Sequence, residues 1–258
     1  MSAELLQQHW PLLVLALGLV ALLAGFVDTL AGGGGMLTVP ALTLVLSPEL
    51  ALGTNKLQSS CGTLTATLAF IRSGHIRPRQ VGEALLPCAL GAGLGVGLVQ
   101  VLPQRWLAAL IPALLIAIAL LLVFMPRLGD QPRPARLSQR AFLLAVVLPL
   151  GFYDGFLGPG TGSFLLLALL TLRGRSLQQA AIEAKIYNLL TNLVALALFL
   201  ARGQVVWSLG LAMALGQVLG ARLASRLLLL RGNKLIRPMA ITVSLLMSLV
   251  LAKRYWFS

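Results

Sequence analysis

Two aspartates and two lysines sit inside otherwise apolar stretches, at corresponding places in the two halves of the chain. Asp28 opens the run Asp28-Thr29-Leu30-Ala31-Gly32-Gly33-Gly34-Gly35, and Asp154 opens Asp154-Gly155-Phe156-Leu157-Gly158-Pro159-Gly160-Thr161-Gly162. Four consecutive glycines hold a helix poorly, at about 1 kcal/mol each relative to alanine. A bare backbone group left in hydrocarbon costs several kcal/mol more, so such a break is expected only where it is buried or lines a cavity. The short apolar run after each break then aims free N–H groups and the positive end of its dipole at that cavity, which suits an anion. Gly33, Gly34 and Gly35, with Gly160, Thr161 and Gly162, are the expected substrate-binding backbone.

The lysines lie in Thr54-Asn55-Lys56-Leu57-Gln58-Ser59-Ser60 and in Glu183-Ala184-Lys185-Ile186-Tyr187-Asn188, with Thr191-Asn192 a turn later. A lysine near the bilayer centre costs at least ~2.5 kcal/mol, so it needs a partner unless it snorkels to the interface. Ser59 and Ser60 follow Lys56 by three and four residues, and Asn188 follows Lys185 by three, on the same helix face. Lys56, Lys185, Asn55, Gln58, Ser59, Asn188 and Asn192 are therefore the expected substrate-binding side chains. In the competing arrangement Asp28 and Asp154 neutralise the lysines, and helix dipoles and polar groups alone hold the anion. Glu183 stands where the first half has Thr54, and joins Asp28 and Asp154 as a coupling or charge-pairing group. The same three acids would be the ligands if the cargo were a cation or metal ion.

Catalytic readings find little support. His9 and His75 lie in terminal and loop positions, and no Ser-His-Asp, H-E-x-x-H or G-K-[ST] pattern occurs. Cys61 and Cys88 are 27 residues apart within apolar segments and form no C-x-x-C pair. No catalytic residue, resident metal or cofactor is expected, and an enzyme or membrane assembly factor is the more remote reading.

The elements that position these residues are membrane helices. Of 258 residues 58% are hydrophobic and 10% charged, with a mean hydropathy of +0.92, too few charges to wet a soluble globule. The net charge of +13 falls mostly in short breaks between apolar runs, which argues for membrane topology and against nucleic acid. Apolar runs predict helices over 11–30, 36–47, 51–71, 80–102, 104–125, 141–157, 161–172, 177–201, 204–229 and 235–252. The first is read as a retained span, because its flank carries Glu4 and no Lys or Arg. The runs 36–47 and 161–172 reach only ~18 Å and are half-helices or re-entrant pieces. Basic loops 72–79, 126–140, 173–175 and 231–237 are expected on the cytoplasmic side, and the tail Tyr255-Trp256-Phe257 suits interfacial anchoring.

The halves repeat. Gly25-Phe26-Val27-Asp28 with Gly32 and Gly34 returns 126 residues later as Gly151-Phe152-Tyr153-Asp154 with Gly158 and Gly160. Lys56, Phe70 and Gly74 match Lys185, Phe199 and Gly203 at an offset of 129. Five elements separate the two starts, so the halves run through the membrane in opposite directions, an inverted repeat with its site at the midplane. The expected fold is an all-α polytopic membrane protein of about 8–10 helical segments including two short half-helices. Its parts are a first repeat over 1–125, a basic linker over 126–140 and a second repeat over 141–258. Gly91, Gly93, Gly95 and Gly97 are expected to serve close helix packing.

The chain resembles the TauE/SafE family over nearly its full length. The resemblance rests on Gly25 to Pro40, Ala51 to Ser60, and Gly151 to Ser163 with Lys185, Asn188 and Asn192. It departs from the family at Glu183-Ala184, where a hydroxyl residue usually precedes the lysine. The resemblance implies a multi-helix transporter of the bacterial inner membrane, associated with export of sulfite, sulfoacetate or related organosulfur anions. The expected function is thus a secondary transporter that exports a small anion, organosulfur or carboxylate, by alternating access. Its partners are that anion, the lipid bilayer and a coupling proton or sodium ion, with a homodimer compatible with the pattern.

Overall fold

The computed structural model describes residues 10–123 and 132–231, and all regular structure there is helical. In chain order the elements are α1 (Trp10–Ala31), α2 (Gly35–Thr43), α3 (Pro48–Arg72), α4 (Pro78–Val101) and α5 (Gln104–Val123). After the linker come α6 (Gln139–Phe142), a π-helical turn (Leu143–Val147), α7 (Leu148–Phe156), α8 (Thr161–Leu172), α9 (Leu177–Ala201) and α10 (Trp207–Arg231). α6, the π turn and α7 follow without a gap and make up the element expected over 141–157. The expected helix 235–252 and the aromatic tail lie outside the described residues.

Element boundaries have local causes. α3 starts at Pro48, earlier than expected, because proline suits the first helical position, and Glu49 beside it complements the dipole. α9 starts on a capping box, with Ser176 Oγ accepting from Gln179 N at 3.3 Å and Gln179 Oε1 accepting from Ser176 N at 3.2 Å. α3 and α9 end alike on the left-handed glycines Gly74 (φ +76°) and Gly203 (φ +66°). There the N–H groups of His75 and Gln204 donate back to the carbonyls of the fully buried Phe70 and Phe199, at 3.0 and 2.9 Å. The repeat at offset 129 is thus also a repeat of geometry.

Among the described residues, four helices are long and apolar enough to cross a membrane: Trp10–Ala31, Arg79–Val101, Leu177–Ala201 and Trp207–Leu230. Exposed leucines run down α1 (Leu12, Leu15, Leu19, Leu23) and α10 (Leu211, Leu215, Leu219, Leu223), while α3 buries Thr54, Asn55, Lys56, Gln58, Ser60, Thr63 and Thr67. An apolar exterior around a polar interior is what lipid as solvent selects. The chain is a multi-pass membrane protein.

α3 and α9 are antiparallel at the centre. Near the start of α3, Thr54 Oγ1 accepts from Val206 N, just past α9, at 3.0 Å; near its end Thr67 Oγ1 donates to Lys185 O, near the start of α9, at 3.4 Å. Ile76, Phe142, Leu172 and Leu177 share one apolar cluster, and Arg133 N donates to Gly174 O at 2.8 Å, so loops 72–79 and 173–175 and the described part of the linker gather at one end. α10 ends there too, with Gln178 Nε2 donating to Leu228 O at 3.2 Å. At the other end the amides of Gln100 and Gln204 pair, at 2.7 and 3.1 Å. α2 doubles back along α1, bringing Leu42 into the cluster of Leu17, and α8 doubles back after α7 in the opposite sense, bringing Leu169 against Phe142.

The long helices pack across the sequence halves. α1 lies along α10 and α7 along α4, both on glycine seams. A Cβ on Gly216 or Gly220 would sit 2.1 or 2.0 Å from the carbonyl oxygen of Gly18 or Leu22, and one on Gly91 or Gly95 2.3 or 2.1 Å from that of Leu148 or Phe152. Each half lends its fourth helix to the other, so α10 completes the group α1–α3 and α4 completes α7–α9. Close packing accounts for Gly91 and Gly95, whereas a Cβ on Gly93 or Gly97 would meet nothing within 4 Å. Gly95→Ala is expected to destabilise by about 1–3 kcal/mol through overpacking against backbone. Gly93→Ala should be neutral or stabilising by up to ~1 kcal/mol. Melting temperatures of the purified variants in detergent check the pair.

Candidate functional site

The two glycine breaks meet in the middle of the molecule. Gly32 has φ +76°, and a Cβ there would lie 2.2 Å from Gly162 C and from Ser163 N. Ser163 Oγ ties the second break to the first by donating to Ala31 O at 3.0 Å. Within the second break Thr161 Oγ1 donates to Gly158 O at 2.8 Å and Tyr153 OH to Pro159 O at 2.5 Å. The half-helices α2 and α8 therefore start beside one another and run to opposite ends, and the exposed backbone of each break is buried by the other.

The charged pairs close crosswise between the halves. Lys185 Nζ lies 2.8 Å from Asp28 Oδ2 and also donates to the Asp28 carbonyl, while Asp28 Oδ1 accepts from Gly34 N at 3.2 Å. Lys56 Nζ lies 3.0 Å from Asp154 Oδ2 and donates to Asn192 Oδ1 at 3.1 Å. The lysines are 1% and 2% exposed, so neither snorkels to an interface. A buried lysine without its aspartate would be a bare charge in a low-dielectric interior, and the crossed pairing removes that penalty for both.

Between the pairs lies a small polar cavity, lined by Asp28, Gly33, Gly35, Asn55, Lys56, Ser59, Asp154, Gly158, Gly160, Thr161, Gly162, Asn188 and Asn192. The expected residues Lys185, Gln58 and Gly34 are not in its wall. Lys185 and Gly34 N are taken up by Asp28, and Gln58 Nε2 braces Asn55 Oδ1 at 2.8 Å and Ser59 Oγ at 3.1 Å. Thr38 was not singled out from sequence, yet its Oγ1 donates to Asn55 Oδ1 at 2.5 Å and fixes that amide. A hydroxyl midway along α2 was the only available signal. Gly158 also joins the wall, and a Cβ on it would lie 2.9 Å from Lys56 Nζ.

Glu183 stands apart from the cavity. Its Oε2 is 2.7 Å from Arg175 Nε and its Oε1 accepts from Tyr187 OH at 3.0 Å. The cation-ligand trio of Asp28, Asp154 and Glu183 is not assembled, and among the described residues no three His, Cys, Asp or Glu side chains come together as a metal site. Arg175 is one-third exposed. Arg175→Ala should cost about 1–2 kcal/mol, between an exposed and a buried pair, and leave anion affinity unchanged. Melting temperature and a binding titration, read together, separate the two effects.

The sequence model of the sulfite exporter TauE/SafE family matches residues 17–251. The chain belongs to the TauE/SafE family. Among its TauE/SafE relatives, a probable membrane transporter protein of Haemophilus influenzae is 44% identical over 230 residues, covering 89% of this chain and 90% of its own. The probable membrane transporter protein YfcA of Escherichia coli K12 is 44% identical over 239 residues, covering 92% and 89%. A probable membrane transporter protein, ORF9, of a Sinorhizobium species is 43% identical over 230 residues, covering 89% and 88%. No solved structure shows a significant match. This TauE/SafE protein is accordingly a membrane transporter.

Proposed function

We propose that the protein is a secondary transporter of the bacterial inner membrane that exports a small anion, sulfite, sulfoacetate or a related organosulfur or carboxylate anion, by alternating access. The observation that carries this reading is the charge-balanced cavity between the two glycine breaks, walled by amides, hydroxyls and the starts of α2 and α8. Such walls donate hydrogen bonds to anion oxygens, and the dipoles of both half-helices favour negative charge. The family's description as sulfite exporters supports the substrate class.

The groups α1–α3 with α10 and α7–α9 with α4 form the two moving parts, and α3 slides against α9 between them. Movement that opens one end parts Gln100 from Gln204, and movement that opens the other parts the loops around Gly174. Linker 126–140 and loops 72–79, 173–175 and 231–237 face the cytoplasm, as their arginines and lysines favour. A melting-point screen against sulfite, sulfate, sulfonates, carboxylates and divalent cations tests the reading. An anion at a hundred times its Kd should stabilise by about 2.7 kcal/mol. Stabilisation by divalent cations alone would contradict it.

A further inference from the structure

The two ion pairs occupy corresponding positions in the repeat but are built differently. Asp28 is held by hydrogen bonds to both carboxylate oxygens, from Lys185 Nζ and Gly34 N, and Lys185 donates to its carbonyl as well. Asp154 is 1% exposed, and its Oδ2, the atom that faces Lys56 at 3.0 Å, is a buried oxygen with no aligned hydrogen bond. Lys56 lines the cavity and Lys185 does not. Lys56 also has Asn192 Oδ1 at 3.1 Å, a second partner that keeps the ammonium in place without the aspartate. One pair is locked, then, and the other is held by charge alone at the cavity wall.

The four charges of the closed cavity sum to zero. An anion that enters adds a negative charge to a site that excludes most water, where an uncompensated charge is strongly disfavoured. A proton on Asp154 removes that excess and releases Lys56 to the anion. We propose that Asp154 is the proton-binding site of the transport cycle: it takes up one proton from water as the anion binds, and Lys56 turns from the carboxylate to the substrate. The balance is complete for one negative charge: the proton joins Oδ2, Lys56 remains an ammonium ion and the anion supplies the charge that Asp154 gives up, while the second charge of a dianion faces the N–H groups at the starts of α2 and α8. The groups around Asp154 are Lys56 from α3, Cys88 from α4, Tyr153 from its own helix, the amides of Asn188 and Asn192 from α9, and the Asp28–Lys185 pair across the cavity. Lys56 is the cation among them that is not already committed to another carboxylate.

The inference rests on the anion reading above and deepens it by naming the coupling ion. Calorimetric titration of the purified protein with sulfoacetate, in two buffers of different protonation enthalpy, counts protons taken up per anion bound. Both acid groups of sulfoacetate are ionised near neutral pH, so it supplies no proton of its own. The wild-type protein should take up about one proton, and its affinity should fall by up to about tenfold per pH unit over the range where Asp154 is empty in the free protein and filled in the complex. Asp154→Asn should take up about none and bind with an affinity that stays within about twofold across the same pH range. Glu183→Gln, which removes a carboxylate that stands apart from the cavity, should retain the uptake. Binding by the wild-type protein without proton uptake overturns the inference with no variant needed, as does equal uptake by wild type and Asp154→Asn. Absence of binding by both sulfoacetate and sulfite overturns the anion reading itself.

Discussion

Lys56→Ala is expected to destabilise the protein by about 3–5 kcal/mol, because it strands a carboxylate that is 1% exposed. Asp154 Oδ2 has no aligned hydrogen bond to fall back on, so the whole penalty of an unpaired buried charge falls on the folded state. The double variant Lys56→Ala/Asp154→Ala removes both charges and should recover most of that stability, leaving a cavity penalty of about 1–2 kcal/mol. Transport should be lost in both, since neither keeps a cation in the cavity wall. Denaturation midpoints and uptake measured on the same preparations check this. Equal loss of stability in single and double variants would mean that the two residues do not act as a pair.

The second large effect belongs to Gly32. Alanine there meets two penalties: a left-handed backbone, about 1–2 kcal/mol, and a Cβ 2.2 Å from Gly162 C, where only backbone is available to move. Overpacking adds at least about 1–3 kcal/mol, and the displaced break would separate α2 from α8. Gly32→Ala should therefore fail to give a monodisperse protein on size-exclusion chromatography. Gly33→Ala is the internal control: its φ is +88°, yet its Cβ would come no nearer than 3.3 Å, to the Ser163 hydroxyl. It should remain folded with a lowered melting temperature.

Much of this site is legible in the sequence, because the cost of polar groups in hydrocarbon makes each one conspicuous. The glycine breaks, the two lysines and the two aspartates all violate the apolar pattern, and the structure brings them to one place. The matched C-caps at Gly74 and Gly203 are legible for a similar reason, since few other residues accept their backbone angles. Pairing is another matter. Counting charges shows that two aspartates balance two lysines, but not that Asp28 meets Lys185 and Asp154 meets Lys56, which depends on where α1 and α7 lie across the molecule. The exchange of α4 and α10 between the halves is equally hidden, because a glycine seam states that a helix packs closely without naming its partner. The partner of Glu183 is hidden for a simpler reason. Glu183 sits two residues before Lys185, so its side chain leaves the helix on a different face and meets Arg175.

Counterflow in proteoliposomes tests the central claim, that a small anion passes through the cavity between α3 and α9. Vesicles loaded with unlabelled sulfite should accumulate labelled sulfite transiently and saturably. Asn188→Leu, close to isosteric but without its polar atoms in the cavity wall, should abolish the overshoot while leaving the protein folded. Undiminished sulfite counterflow through Asn188→Leu, or counterflow of a divalent cation and of no anion, would contradict the account.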